Sequence, residues 1–374
     1  MIITDVRVTR YREMSAPDSR HAAGKEVQVV DVLTDAGVSG RGFLSIVVSE
    51  ASSNGDISAN LLRRDLKASV LGENPLYHDK AWQRMYDQVA ARLGRRGIVR
   101  QCMAAIDFAL WDLKGKLFGV PVTALLGNHR ERIPTYANLG QQLPHDQLAQ
   151  KAAEYVNKGH SAVKIRVGRS AVTLKEATMR VAAVREAIGI DAKLMVDANG
   201  TWDAETAIGQ LRAWDRYDLY WLEEPVPPED LAGYIRVRKH AGRTFIAGGE
   251  QHAGLLECSQ LIEKGAIDIL QPNALATGGI TDWLKIYHFA LASGIIVSPW
   301  NLQQIHSHLG AGLAGVKWIE YFTEDRNDLT NRLFKGPGMR EIRESDGIYL
   351  LAPEGPGLGL VLDEKVAEST IVAE

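Results

Sequence analysis

A chain of 374 residues with 45% hydrophobic and 24% charged residues has the composition of a globular enzyme, long enough for one large domain and a smaller one. Its 43 Lys and Arg against 46 Asp and Glu leave a net charge of −3, which argues against nucleic acid or an acidic membrane surface as partner. The two cysteines, Cys102 and Cys258, stand alone in apolar stretches and read as reduced core thiols.

The N-terminus, MIITDVRVTRYRE, alternates like a strand and lacks a signal-peptide profile, and no apolar run reaches the roughly 18 to 20 residues needed to cross a bilayer. A cytoplasmic protein is expected. Val27 to Thr34 and Val38 to Val48 read as strands flanking the turn Asp35-Ala36-Gly37. Between 58 and 126 the period becomes helical, and VRQCMAAIDFALWDLKGKLFG stops at Gly119 and Pro121. Residues 1–128 are expected to form an α+β capping domain.

From Ile133 a strand–helix alternation sets in. Expected strands are Ile133–Asn138, Ala162–Val167, Lys193–Asp197, Leu219–Leu222, Phe245–Ala247, Ile267–Leu270, Ile295–Ser298 and Trp318–Tyr321. Eight strands at intervals of roughly 22 to 32 residues, separated by amphipathic helices such as Leu174–Ile188, predict an α/β fold. The expected architecture is a (β/α)8-type TIM barrel over 129–325, with an irregular last unit allowed. The Gly- and Pro-rich tail, 326–374, returns to short strands and is expected to pack on the capping domain.

Three acids fall on one beat within the barrel: Asp197 in KLMVDANG, Glu223 in YWLEEP and Glu250 in AGGEQH, 26 and 27 residues apart. Each follows a short apolar run, so the carboxylates are expected to end three successive strands. Three hard oxygen ligands at a barrel mouth suit a divalent cation, most simply Mg2+, with positions left for a bidentate substrate. Other polar residues at strand ends are Lys164, Arg166, Asn199, Glu224, His252, Gln271, Asn273, Trp300 and Glu320.

In this order and spacing, the AIDFALWDLKGKLFGVPVTALLG helix, the KIRVG, VDANG, EEP and GGE strand ends, the GGITDW stretch and the PGLGLVLD tail resemble the enolase superfamily, specifically its mandelate racemase-like group. The resemblance covers the whole chain. It implies abstraction of the proton alpha to a carboxylate, giving an enediolate stabilised by Mg2+, with Asp197, Glu223 and Glu250 as metal ligands. It implies that Lys164 and Arg166 are active-site cations on the second barrel strand. Arginine stays protonated and is a poor base but a good fork for carboxylate oxygens, so Lys164 is the candidate base if its pKa is depressed. Glu320 occupies the position where relatives hydrogen-bond a substrate carboxylate.

Relatives that eliminate water or racemise often carry an Asp on the sixth strand and a His on the seventh; Asn273 and Trp300 stand there instead. No Lys takes the sixth-strand place it has in the muconate-lactonising group. His252, two residues beyond Glu250, is a candidate substitute. His21 belongs to the segment SAPDSRHAAG, which in the family closes over the pocket. Asn138, Asn199, Asn273 and Trp300 complete the expected substrate contacts, while His306 and His308 read as structural.

A site with a base on one side only fits elimination better than racemisation, so the leading expectation is a Mg2+-dependent lyase that dehydrates a sugar acid. A racemase, epimerase or cycloisomerase of the same superfamily remains open, as does a catalytically degraded protein that binds an acid and a metal. A homo-oligomer is expected from the resemblance.

Overall fold

A computed structural model describes residues 1–14, 24–49, 53–139, 143–168, 172–323, 328–336 and 340–373. Strands β1 (Ile3–Glu13), β2 (Gly24–Thr34) and β3 (Ser39–Val48) form an antiparallel sheet in that order. Val27, Val29, Phe43 and Leu44 are buried, and the helix Ile98–Phe118 packs against β3 and β2. Gly119 ends that helix in the left-handed conformation at φ 67°, as the Gly-x-Pro stop predicts.

Two acids on the buried part of this helix tie the chain together. Asp112 accepts from the backbone N–H of Arg41 and of Leu358, both at 2.7 Å, and from the Lys116 ammonium at 2.6 Å. It thereby joins β3, the helix and the tail. Asp107 accepts from the N–H and hydroxyl of Thr281, at 3.0 and 2.5 Å, and so fastens the cap to the GGITDW stretch. Asp112→Ala would leave two buried amides unpartnered, and a destabilisation of about 3 kcal/mol in a urea titration is the expected result.

The barrel strands are β4 (Arg132–Leu139), β5 (Ala162–Arg166), β6 (Lys193–Asp197), β7 (Leu219–Glu223), β8 (Phe245–Gly248), β9 (Ile269–Leu270), β10 (Ile296–Val297) and β11 (Ile319–Tyr321). They pair in parallel from β4 to β10, and β11 pairs with β4. A parallel bridge between Val297 and Val316 completes the ring. The last strands are the shortest, which is where the expected runs at 267–270 and 295–298 shrink to two residues each.

Inside the ring Tyr136, Ala162, Met195, Trp221, Ala247, Ile269 and Trp318 form a separate apolar cluster, the packed floor beneath the mouth. The tail serves both parts of the molecule. The hairpin of Glu341–Glu344 and Gly347–Leu351 adds antiparallel to the start of β4. Beyond it, Val361–Leu362 pairs with Phe334–Lys335, and Ile371 bridges to Tyr11 of the cap. Among the described residues no helix is long and apolar enough to cross a membrane.

Candidate active site

Register puts the polar residues together. Arg166 pairs with Asp197, and Asp197 with Glu223, each the final residue of its strand. Lys164 lies one inward-facing step deeper and pairs with Asn138. Glu250 follows the end of β8 after a Gly-Gly turn. The close approach of the KIRVG and VDANG strand ends depends on Gly168, where a Cβ would stand 1.8 Å from the Ala198 carbonyl oxygen. Among the described residues, four of the six non-glycine residues with positive φ, namely Asn199, Glu224, Asn301 and Leu302, lie just past strand ends. Backbone strain of this kind concentrates at functional sites.

The Lys164 ammonium, 1% exposed, lies 2.6 Å from Glu223 Oε1 and 2.8 Å from Glu320 Oε1. The other oxygen of Glu223 accepts from Gln271 Nε2 at 2.8 Å and Trp221 Nε1 at 3.1 Å. Asp197 is held by the backbone N–H and side-chain amide of Asn199, both at 2.8 Å, with Arg166 Nε 3.9 Å away. Burial alone would push the Lys164 pKa down, but Glu223 and Glu320 outweigh it and hold it well above the ordinary lysine value. The expected depression therefore does not hold with these two anions in contact.

Among the described residues no three His, Cys, Asp or Glu side chains stand as a ready-made metal cluster. Asp197 and Glu223 are instead tied by the hydrogen bonds just described. The donor set nevertheless fits a divalent cation. Glu250 is 8% exposed and its Oε2 is buried with no hydrogen-bond partner. Burial, followed by Glu224, Glu223 and Asp197, raises the Glu250 pKa well above normal. Five buried carboxylates (Asp197, Glu223, Glu224, Glu250 and Glu320) face two cations, Lys164 and Arg166, a formal excess of three negative charges. A divalent ion would relieve most of that excess.

Burial also pushes Glu223 up to about 8, with Asp197 and Glu320 adding to it and Lys164 opposing, and burial takes Asp107 up to about 7. A carboxyl whose folded pKa lies above its unfolded value stabilises fully below the unfolded pKa of about 4 and loses that contribution as pH rises through the folded one. Metal-free protein is therefore expected to lose about 2 kcal/mol or more between pH 5 and 8 in thermal melts. Mg2+ affinity should rise over the same range, with proton release visible by calorimetry in buffers of different ionisation enthalpy.

Above these groups, between cap and barrel, lies a cavity of about 900 Å³. Asn199, Glu224, Glu250, Asn273 and Trp300 line it, together with Lys25, Arg96 and Gln101 from the cap and Asp328 and Asn331 from the tail. Lys25 and Asp328 form an ion pair across its wall. Asn273 also caps the short helix Ala274–Thr277 through its Oδ1, 2.7 Å from the Leu275 N–H.

Three expected contacts fall elsewhere. Asn138 and Glu320 are buried below the cavity and bonded to each other; Glu320 also accepts from the Asn301 N–H at 2.8 Å. Glu320 holds the Lys164 ammonium, and Asn138 donates to Glu320. His252 lines a different cavity of about 280 Å³ with Arg96, Glu229 and Glu257, because the chain turns outward after Glu250. The proximity of His252 to Glu250 in sequence did not carry into space. His21 lies outside the described residues.

His306 is buried with Nδ1 2.5 Å from the Asn301 carbonyl and Nε2 accepting from the Ala274 N–H, and burial pushes its pKa down to about 4. His308 is likewise held neutral between Thr123 and the Leu358 carbonyl. Neither is an acid–base group. Sequence reasoning missed the support that Trp221 gives Glu223 and the Tyr136 ring, 5.3 Å from the Lys164 ammonium. The period-2 pattern of their strands, pointing both inward, was the available signal.

Comparison with known proteins identifies the family. Residues 3–127 match the mandelate racemase/muconate lactonizing enzyme N-terminal domain, and residues 147–366 match the enolase C-terminal domain-like family. An L-talarate/galactarate dehydratase of Salmonella typhimurium is 33% identical over 88% of this chain and 80% of its own. A 3,6-anhydro-alpha-L-galactonate cycloisomerase of Streptomyces coelicolor is 32% identical over 97% of each chain. The crystal structure of an L-talarate dehydratase from a Polaromonas species, complexed with Mg and L-glucarate, superposes with a TM-score of 0.86 at 31% identity, covering 100% of this chain and 98% of that one. The chain therefore belongs to the mandelate racemase/muconate lactonizing enzyme family of the enolase superfamily.

Proposed function

We propose that this protein is a Mg2+-dependent lyase that removes the proton alpha to the carboxylate of a sugar acid and expels a beta-hydroxyl. The single observation that carries the reading is the one-sided distribution of chemistry at the mouth. Lys164, Arg166, Asp197 and Glu223 stand on the neighbouring strands β5 to β7, while beyond the ends of β9 and β10 the cavity is lined by Asn273 and Trp300, neither of which exchanges a proton at neutral pH. One base suffices for elimination.

Asp197, Glu223 and Glu250 would hold the cation, which when bound supplies Lewis-acid charge to the substrate carboxylate. Arg166 offers its planar fork to the same oxygens and to the negative charge that develops on them. Lys164 is the base. Were Glu223 to serve as a ligand to the cation, one of the two carboxylates in contact with the ammonium would be drawn away, and its proton would be more easily lost.

Support for a sugar acid comes from the relatives, whose names are those of dehydratases of galactarate, arabinonate and galactonate and of cycloisomerases. The cycloisomerase relative that spans nearly the whole chain favours a second reading, in which the leaving group is a ring oxygen instead of a free hydroxyl. Incubation with Mg2+ and a panel of galactarate, glucarate, arabinonate, galactonate and the cyclic 3,6-anhydro-L-galactonate in D2O tests both. The expected result is alpha-deuterium exchange or a 2-keto-3-deoxy product, lost in Lys164→Ala. Binding of an acid without exchange would instead mark a metal- and acid-binding protein.

A further inference from the structure

Two left-handed residues stand in succession at the mouth, Asn301 at φ 60° and Leu302 at φ 46°. Leucine rarely takes that conformation, because its side chain crowds the backbone, so the turn persists only where its surroundings fix it. On one side the turn carries Trp300 in the cavity wall, and on the other it opens the helix Gln303–Gly312.

His306, fully buried in the first turn of that helix, fixes it. The ring Nδ1 stands 2.5 Å from the Asn301 carbonyl oxygen, and Nε2 stands 3.2 Å from the Ala274 backbone nitrogen. A carbonyl only accepts and an amide N–H only donates, so a single form of the ring makes both bonds: neutral, with its proton on Nδ1. Trp283 stands beside it, ring centroids 6.4 Å apart, and donates through Nε1 to the Pro272 carbonyl at 3.0 Å. His306 thereby ties the segment after β9 to the segment after β10 through backbone groups of both.

Asn301 is held from its other side as well. Its N–H donates to Glu320 Oε2 at 2.8 Å, and Glu320 Oε1 receives the Lys164 ammonium at 2.8 Å. His306 fixes the peptide that follows Asn301, and Glu320 the peptide that precedes it. With both planes set, the direction in which Trp300 leaves the backbone is set too.

We propose that His306 is a positioning residue: with its proton on Nδ1 it locks the Asn301–Leu302 turn, which places Trp300 in the cavity wall and keeps the Asn301 N–H on Glu320. It touches neither substrate nor cation. The proposal rests on the reading of the mouth as the substrate site.

Fluorine NMR of the full chain labelled with 5-fluorotryptophan tests it, the Trp300 resonance being assigned by its loss in Trp300→Phe. His306→Asn puts an amide N–H where Nδ1 stands, whereas His306→Gln reaches the Ala274 N–H but offers the Asn301 carbonyl no donor. The expected result is one Trp300 resonance in wild type, kept in His306→Asn and shifted or doubled in His306→Gln. Calorimetric titration with galactarate in Mg2+ should follow the same order, with affinity tenfold or more lower in His306→Gln than in His306→Asn. An unchanged Trp300 resonance in His306→Gln overturns the proposal, and so do equal changes in both variants, since lost packing alone would affect both alike. If His306→Gln does not fold, nitrogen NMR of wild type decides: a proton on Nδ1 supports the proposal and a proton on Nε2 overturns it. A wild type that fails to bind galactarate counts against that acid as the substrate, and the fluorine measurement then decides alone.

Discussion

Glu250→Gln is expected to lower turnover at least about a thousandfold, by removing one of the three anionic ligands proposed to hold the cation, and at the same time to stabilise the metal-free protein. The second effect distinguishes this residue from an ordinary buried acid. Its Oε2 lacks a partner and three other carboxylates raise its pKa, so the ionised form is a liability until a cation arrives. The neutral amide removes that cost. Thermal melts in EDTA and in Mg2+ provide the check: wild type should gain stability on adding Mg2+, whereas the variant should start higher and gain little. A variant that is less stable in EDTA and still responds to Mg2+ would mean that Glu250 does not hold the ion.

Lys164→Met should have the larger structural effect. The methionine fits the volume, but Glu223 and Glu320 then lose the ammonium that contacts both at under 3 Å. Removing one partner of a buried ion pair typically costs about 3 to 5 kcal/mol because the remaining charge is uncompensated. Both carboxylates are fully buried, so solvent offers little relief. The loss should shrink as pH falls below about 8, where Glu223 takes up a proton, and in Mg2+, which supplies the missing charge. A destabilisation independent of both would point to lost packing against Tyr136 instead. Activity should vanish in either case, since the proposed base is gone.

The barrel was readable because its physics is periodic. Apolar runs ending in Asp197, Glu223 and Glu250 recur at the length of one strand–helix–strand step, and the register of β6 and β7 makes two of those acids direct neighbours. Lys164 and Arg166, two apart on β5, were legible for the same reason. The stop at Gly119 was local chemistry.

What pattern alone did not reach was contact between distant segments. Nothing local marks Gln271 as holding Glu223, or Glu320 as holding Lys164, because those partners lie 48 and 156 residues away and meet only in the assembled barrel. His252 shows the converse. Two residues from Glu250 in sequence, it is turned into another cavity once the strand has ended and the period-2 rule no longer applies. Spacing within a repeating unit is written in the order of residues, since each unit folds on its own hydrogen bonds and apolar face. Which buried charge touches which is decided by the closure of eight such units, where burial makes every unpaired group costly and leaves few arrangements that satisfy them all.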